Sequence, residues 1–297
     1  MAEQIENPVN SNKITRDYFD SLLIELRYID AVIPSTKLEL YGETFETPVM
    51  FAALSHLDKV RPKGMVESAK GMAAAGGVMW VGIGDEKELE EICATGAKTI
   101  KIIKPYEDSK VIFRKIEHAE KCGCIAVGMD VDHSFSPRGT YDEVMGIRMK
   151  PKTLDEIRGF VKATKLPFII KGVLSEQDTY KCLSAGVRGI VVSHHHGRID
   201  YSLPPLQVLP KIVKIVNKQI PIFVDCGINR GLDVFKALAL GATAASVGRA
   251  IMGPLGTDGA AGVQKLIQDF TAELAGGMAF TCSPDINHID PGVIWKK

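Results

Sequence analysis

The chain has 297 residues, with 36 basic against 36 acidic and 45% hydrophobic. That balance suits a globular fold with a large core and gives no support for a nucleic-acid or membrane-surface partner. No run nears the roughly 18 consecutive apolar residues of a membrane span, and the polar start MAEQIENPVNSNKITRDYFD lacks the basic-then-apolar plan of a signal peptide.

The first 47 residues read as an extension capping a larger unit, with a helix over Asp17–Tyr28 and a hairpin over Leu38–Thr47 that plugs a barrel bottom. A rhythm then sets in. Eight apolar runs follow: Pro48–Leu54, Val78–Gly82, Thr99–Pro105, Ile125–Asp132, Phe168–Val173, Gly189–His195, Ile220–Ile228 and Ala244–Ile251. Most are continuous rather than alternating, as strands covered on both faces are. Amphipathic segments separate them, the pattern of βαβ units. Asp85, Thr153-x-x-Glu156 and Ser175-x-x-Asp178 mark helix starts, and Gly123, Gly186 and Gly241 mark helix stops. No G-x-G-x-x-G follows the first strand, which weighs against a dinucleotide fold. The expected fold class is α/β, a TIM (β/α)8 barrel with a short N-terminal helix and hairpin, as one domain over residues 1–297.

Barrels carry their reactive groups at the C-terminal strand ends. Here those ends hold Lys104, then Asp130, Asp132 and His133, then Lys171. Further along come Ser193-His-His-His-Gly-Arg-Ile-Asp200, Asp225-Cys-Gly-Ile-Asn-Arg230 and Gly248-Arg249. Basic, acidic and imidazole groups therefore converge on one rim. The glycines after the last two strands suit a phosphate site built from backbone N–H groups, with Arg230 and Arg249 adding charge. The bland alternative is two tight turns. His194–His196 do not form a metal set, because neighbours on a strand point to opposite faces, so no metal is expected. The six cysteines are read as reduced thiols in the cytoplasm, Cys122-Gly-Cys124 being the one close pair.

At these residues the chain resembles the FMN-dependent α-hydroxy-acid oxidase and dehydrogenase family. The stretch Asp225–Arg249, DCGINRGLDVFKALALGATAASVGR, carries most of the likeness, with Lys171-Gly-Val and Val191-Val-Ser-His-His-His-Gly-Arg adding to it in the right order. Pro48-Val-Met-Phe-Ala-Ala and Ala119-Glu-Lys-Cys-Gly extend it over nearly the whole chain. The resemblance implies FMN as cofactor, contacted by Ala52, Ala53, Lys171, Ser193, His195, Gly197, Asp225, Gly227, Asn229, Arg230, Gly248 and Arg249. It implies His195 as catalytic base, Asp132 (or Asp130) as its carboxylate partner, Lys171 at the flavin N1–C2=O edge and Arg198 on the substrate carboxylate. A homo-oligomer, tetramer or larger, is implied as well. Oxidation of a 2-hydroxy acid needs a base of near-neutral pKa, which histidine supplies, and a planar guanidinium suits a carboxylate.

The substrate half departs from the family. Its N-terminal tyrosine has no counterpart. Lys104 stands where a second tyrosine is expected (Tyr106 being the displaced alternative), and Asn229 replaces an arginine. The loop after Asp132 is short. Lys104 and Arg138 are then candidates for holding substrate. The expected activity is oxidation of a small L-2-hydroxy acid of the lactate or glycolate kind. The alternatives are an FMN-dependent isomerase or reductase similar to type-2 isopentenyl diphosphate isomerase, and a non-catalytic flavin-binding protein.

Overall fold

The structure is a computed structural model and describes residues 7–297; residues 1–6, part of the stretch read above as no leader, lie outside the described residues. The chain opens with helix α1 (Ser11–Ser21), whose Asn10 side chain accepts from the Asn12 N–H at 2.9 Å. The helix thus starts and stops earlier than the expected 17–28. The reason is tertiary: strand β1 (Leu22–Ile24) pairs antiparallel with the C-terminal segment Ile294–Lys296. That ladder satisfies the backbone that a longer helix would have used. Strands β2 (Leu38–Leu40) and β3 (Glu43–Phe45) form the expected hairpin around left-handed Tyr41 and Gly42. The Tyr41 hydroxyl donates to the Arg188 carbonyl at 2.8 Å, just ahead of a barrel strand, so the hairpin closes the N-terminal end of the barrel.

Eight parallel strands close the barrel: β4 (Val49–Leu54), β5 (Met79–Val81), β6 (Thr99–Ile103), β7 (Ala126–Asp130), then, after a small ribbon of β8 (Glu143–Val144) and β9 (Ile147–Arg148), β10 (Phe168–Val173), β11 (Gly189–Val192), β12 (Ile222–Val224) and β13 (Ala244–Val247). Helices α2 (Gly64–Ala75), α3 (Glu86–Cys93), α4 (Ser109–Lys121), α5 (Leu154–Lys162), α6 (Glu176–Ala185), α7 (Pro205–Val216), α8 (Gly231–Ala239) and α9 (Met252–Ala279) surround it. The chain ends in β14 (Ile294–Lys296). Asp85 and Ser175 cap α3 and α6, and Thr153 with Glu156 forms a reciprocal capping box on α5. Among the described residues, no helix is long and apolar enough to cross a membrane.

The apolar runs coincide with the strands, and six of the eight overshoot them at the C-terminal end, where the chain leaves the ladder to build the mouth. The sixth run ends as strand at Val192, before left-handed His195; the eighth ends at Val247, before a tight turn over Arg249–Ile251. Side chains fill the lumen. Trp80 of β5 meets Phe223 of β12 edge to face at 5.0 Å, and its indole N–H donates to Met50 Sδ at 3.1 Å.

Helix α1 braces the mouth. Arg16 forks onto buried Asp233 at 2.9 and 3.0 Å and donates to the Gly227 carbonyl at 3.0 Å. Phe19 is fully buried, packed against the loop after β12, where a side chain at Gly227 (φ +87) would come within 3.0 Å of its ring. Phe19→Ala should therefore cost about 3–5 kcal/mol of stability, the usual loss for a deleted core aromatic. An unchanged urea midpoint would show that α1 contributes little to the folded state.

Candidate active site

Parallel pairing sets the centre of the site. Lys171 of β10 lies in register with Asp130, the last residue of β7, and both are buried. Lys171 Nζ lies 3.5 Å from Asp130, 3.3 Å from Asp225, 3.9 Å from Asp132 and 3.2 Å from the Ser193 hydroxyl. Lys104, one residue beyond β6, donates to the other Asp130 oxygen at 2.6 Å. Three carboxylates thus face two ammonium groups, and His195 stands where the missing positive charge is needed. Its Nδ1 lies 3.2 Å from Asp130 Oδ1, with hydrogen-bond geometry, and 2.9 Å from Asp132 Oδ1.

Burial works against every charge in this cluster, but for most of them the neighbours win. Lys171 with His195 and Lys104 holds Asp130 well below the carboxylate range, and Lys171 holds Asp225 down as well. The carboxylates raise Lys171 and lift His195 above the ordinary imidazole value. Asp132 goes the other way, raised by burial and by the charge on Asp130. Neither Asp132 oxygen has a hydrogen-bond partner among the described residues. Gly172 makes room for this carboxylate: with φ +99, it leaves space that a Cβ would fill to within 2.6 Å of Asp132 Oδ2.

The three histidines go to three destinations. His194 meets Thr15 on α1 at 2.7 Å, His195 turns into the charge cluster, and His196 reaches Asn12. Left-handed backbone at His195, His196 and Gly197 produces that divergence. Asp130, Asp132, His133 and His195 do bring ligand-type atoms within 4.8 Å of one another. Lys104 and Lys171 already supply there the positive charge that a cation would bring.

A cavity of about 280 Å³ runs from this cluster to the last two strands, close to the lower end of ligand-pocket sizes, ~300–1,000 Å³. Lys171, His195 and Asp225 line one part; Ala52 and Ala53 of β4 form a wall; Gly227, Asn229, Gly248 and Arg249 complete it. The fit to a flavin mononucleotide is good in kind. A Cβ at Gly248 would meet only Ala52, at 3.9 Å, so the backbone there lies open to a close-approaching group. Burial lowers the Arg249 pKa, and among the described residues Arg249 has no carboxylate partner, which suits an incoming phosphate. Ser193 lies behind Lys171, and Gly197 does not line the cavity. Arg230 points away from it, bonded to Glu273 of α9.

The expected substrate residues are placed differently from the cofactor set. Lys104 is buried on Asp130 rather than presented to a ligand. Arg138 is exposed on the turn spanning Ser136–Thr140. Tyr106 is buried next to Met149. Arg198 donates to Asp142 at 2.7 Å and to the Phe135 carbonyl at 2.6 Å, and its Nε is buried with no partner among the described residues. Asp142 also takes His133 Nδ1 at 2.8 Å, and His133 Nε2 faces His195 Nε2 at 2.9 Å. Burial, Lys104 and His195 push the His133 pKa down to about 4. A protonated His195 can therefore donate to Asp130 from Nδ1 and to neutral His133 from Nε2. Sequence reasoning missed Asp142, which sits in a polar loop with no spacing signal, and the bracing role of Asn12, Thr15 and Arg16.

The sequence model of the family described as FMN-dependent dehydrogenase matches residues 6–154 and 140–296. A peroxisomal (S)-2-hydroxyacid oxidase of Arabidopsis thaliana is 30% identical over 90% of this chain and 82% of its own length. Glycolate oxidase 3 of the same plant is 31% identical over 92% and 83%. Among solved structures, a mandelate oxidase variant with a monooxide FMN adduct superposes with a TM-score of 0.89 at 27% identity, covering 98% of this chain and 92% of the other. With its closed barrel and a family match along nearly its full length, the chain belongs to the FMN-dependent dehydrogenases, as an oxidoreductase whose cofactor is FMN and whose relatives are 2-hydroxy-acid oxidases.

Proposed function

We propose that this protein oxidises a small L-2-hydroxy acid, of the lactate or glycolate kind, to the 2-oxo acid, with His195 as the base. The observation that carries the reading is the seating of His195 beside two carboxylates and Lys171 at one part of the cofactor cavity. FMN, when bound, supplies the two-electron acceptor. Every other task falls to the chain's own residues. His195 takes the hydroxyl proton, and Asp130 stabilises the imidazolium that results. Lys104 and Lys171 keep Asp130 ionised for that task. The buried Lys171 ammonium is a fixed positive charge at the cavity wall, suited to a developing negative charge. Gly227, Gly248 and Arg249 would hold the phosphate, and Asp225 the ribityl hydroxyls. Arg198 would bind the substrate carboxylate.

This reading assigns Asp142 a definite part. Its carboxylate occupies the guanidinium that the substrate needs, and His133 covers Nε2 of the base. Substrate must displace both, so the loop after β7 opposes binding. No role follows for exposed Arg138.

Four outcomes test the proposal. The purified protein should be yellow, and L-lactate or glycolate should bleach it anaerobically. His195→Ala should keep the flavin and lose about 10²–10⁴-fold in its reduction rate; an unchanged rate removes His195 from the chemistry. Because the base must be neutral and its pKa is raised, kcat/KM should climb with pH through a value above the usual histidine pKa of ~6.5. Asp130→Asn removes the main charge raising it, so that limb should move to lower pH; a limb that stays put excludes Asp130 as partner. Asp142→Asn should lower KM about tenfold, the worth of one charge-assisted hydrogen bond, with kcat held. A KM that stays or rises would show that Asp142 does not compete with substrate.

A further inference from the structure

At the opposite end of the barrel from the mouth, three of the six cysteines gather with a histidine between α3 and α4. Cys93 ends α3, Cys122 follows α4, and Cys124 leads into β7. Cys93 Sγ and Cys124 Sγ are 4.0 Å apart. Cys122 Sγ lies 3.5 Å from His118 Nε2, which in turn meets Glu90 at 3.1 Å. An open depression of about 490 Å³ is lined by Glu90, Cys93, His118, Lys121 and Cys122. Cys93 is therefore reached from solvent, whereas Cys124, 3% exposed, lies behind it.

The two sulfurs are chemically unequal. Pairing with Cys124 brings the Cys93 thiol down to about 7, while the same pairing and burial push the Cys124 thiol up. The buried ammonium of Lys101, on the neighbouring strand, adds to the stabilisation of a Cys93 thiolate. An accessible thiolate backed by a protonated thiol is the arrangement of a reactive cysteine with its resolving partner. A metal site is the competing reading and needs at least a third ligand. Among the described residues, the one group of three or more ligand atoms within 4.8 Å of one another is that at the mouth, not this one.

We propose that Cys93 and Cys124 form a redox-active dithiol, Cys93 attacking and Cys124 resolving, with hydrogen peroxide as oxidant. The Cys93 thiolate attacks one peroxide oxygen and the O–O bond breaks. Cys93 becomes a sulfenic acid, and the departing hydroxide takes up a proton as water. The Cys124 thiol, giving up its proton, then attacks the Cys93 sulfur, and a second water leaves as the S–S bond forms. Two thiols and one peroxide give one disulfide and two waters, the sulfurs losing the two electrons that the peroxide gains. Closing the sulfurs from 4.0 Å requires a shift at Cys93, which sits on the last turn of α3 just ahead of left-handed Gly96. The pair is independent of the reading of the mouth.

The test treats the FMN-loaded protein with a stoichiometric amount of hydrogen peroxide, blocks remaining thiols with N-ethylmaleimide, and maps unreduced peptides by mass spectrometry. The expected product is a Cys93–Cys124 linked peptide, lighter by two hydrogens and reopened by dithiothreitol, with loss of maleimide labelling at Cys93. Cys124→Ser should instead leave Cys93 as a dimedone-reactive sulfenic acid, and Cys122→Ser should leave the link intact. Continued labelling of Cys93 after peroxide, its oxidation to sulfinic acid in the native protein without a link, or a link made through Cys122 would each overturn the assignment.

Discussion

The site depends on one buried cluster of charges. Lys171 is enclosed by Asp130 and Asp132, at and just past the end of β7, and by Asp225, just past the end of β12, and Lys104 shares Asp130. Buried ions lose hydration that only well-placed partners can replace, and removing one partner typically costs about 3–5 kcal/mol. The cluster therefore constrains β6, β7, β10 and the loop after β12 to a common geometry. The same constraint tunes chemistry. With two ammonium groups against three carboxylates, the imidazole of His195 is drawn toward its charged form, and its basicity follows from the balance.

Around this core the mouth is held from two sides. From outside, α1 engages the turns after β11 and β12 through Asn12, Thr15 and Arg16. From above, the loop after β7 folds in, with Asp142 bridging His133 and Arg198. The first contact is rigid and apolar at its centre, on Phe19. The second is polar, an ion pair and hydrogen bonds around Asp142. An apolar brace therefore lies under one side of the mouth and polar contacts over the other.

The opposite end of the barrel follows a different logic. There Tyr41 of the hairpin closes one strand end, and the thiols of Cys93 and Cys124 sit between helices and sheet. Nothing in the flavin chemistry uses them. A barrel separates its two ends by a packed lumen, here Met50, Trp80 and Phe223, so the two ends can carry unrelated chemistries.

The amino-acid sequence by itself determined the eight-fold alternation, the helix caps at Asp85, Thr153 and Ser175, and Lys171 on its strand with His195, Asp225 and Arg249 beyond the strand ends, which line the cavity at the mouth. These are local: an apolar run of strand length, a capping side chain, or a residue one step beyond a strand can be recognised without knowing what it touches. Tertiary structure decided the rest. The first helix ends at Ser21 because β1 finds a partner at the far end of the chain. Asp130 and Asp132 both reach His195 Nδ1, at 3.2 and 2.9 Å, because β7 ends with Asp130 in register with Lys171 and Asp132 lies in the turn just beyond. Lys104 is spent on Asp130, Arg230 on Glu273 and Arg198 on Asp142. A charged side chain takes whichever counter-charge the fold brings within reach, and that distance is set by strands and loops far away in the chain.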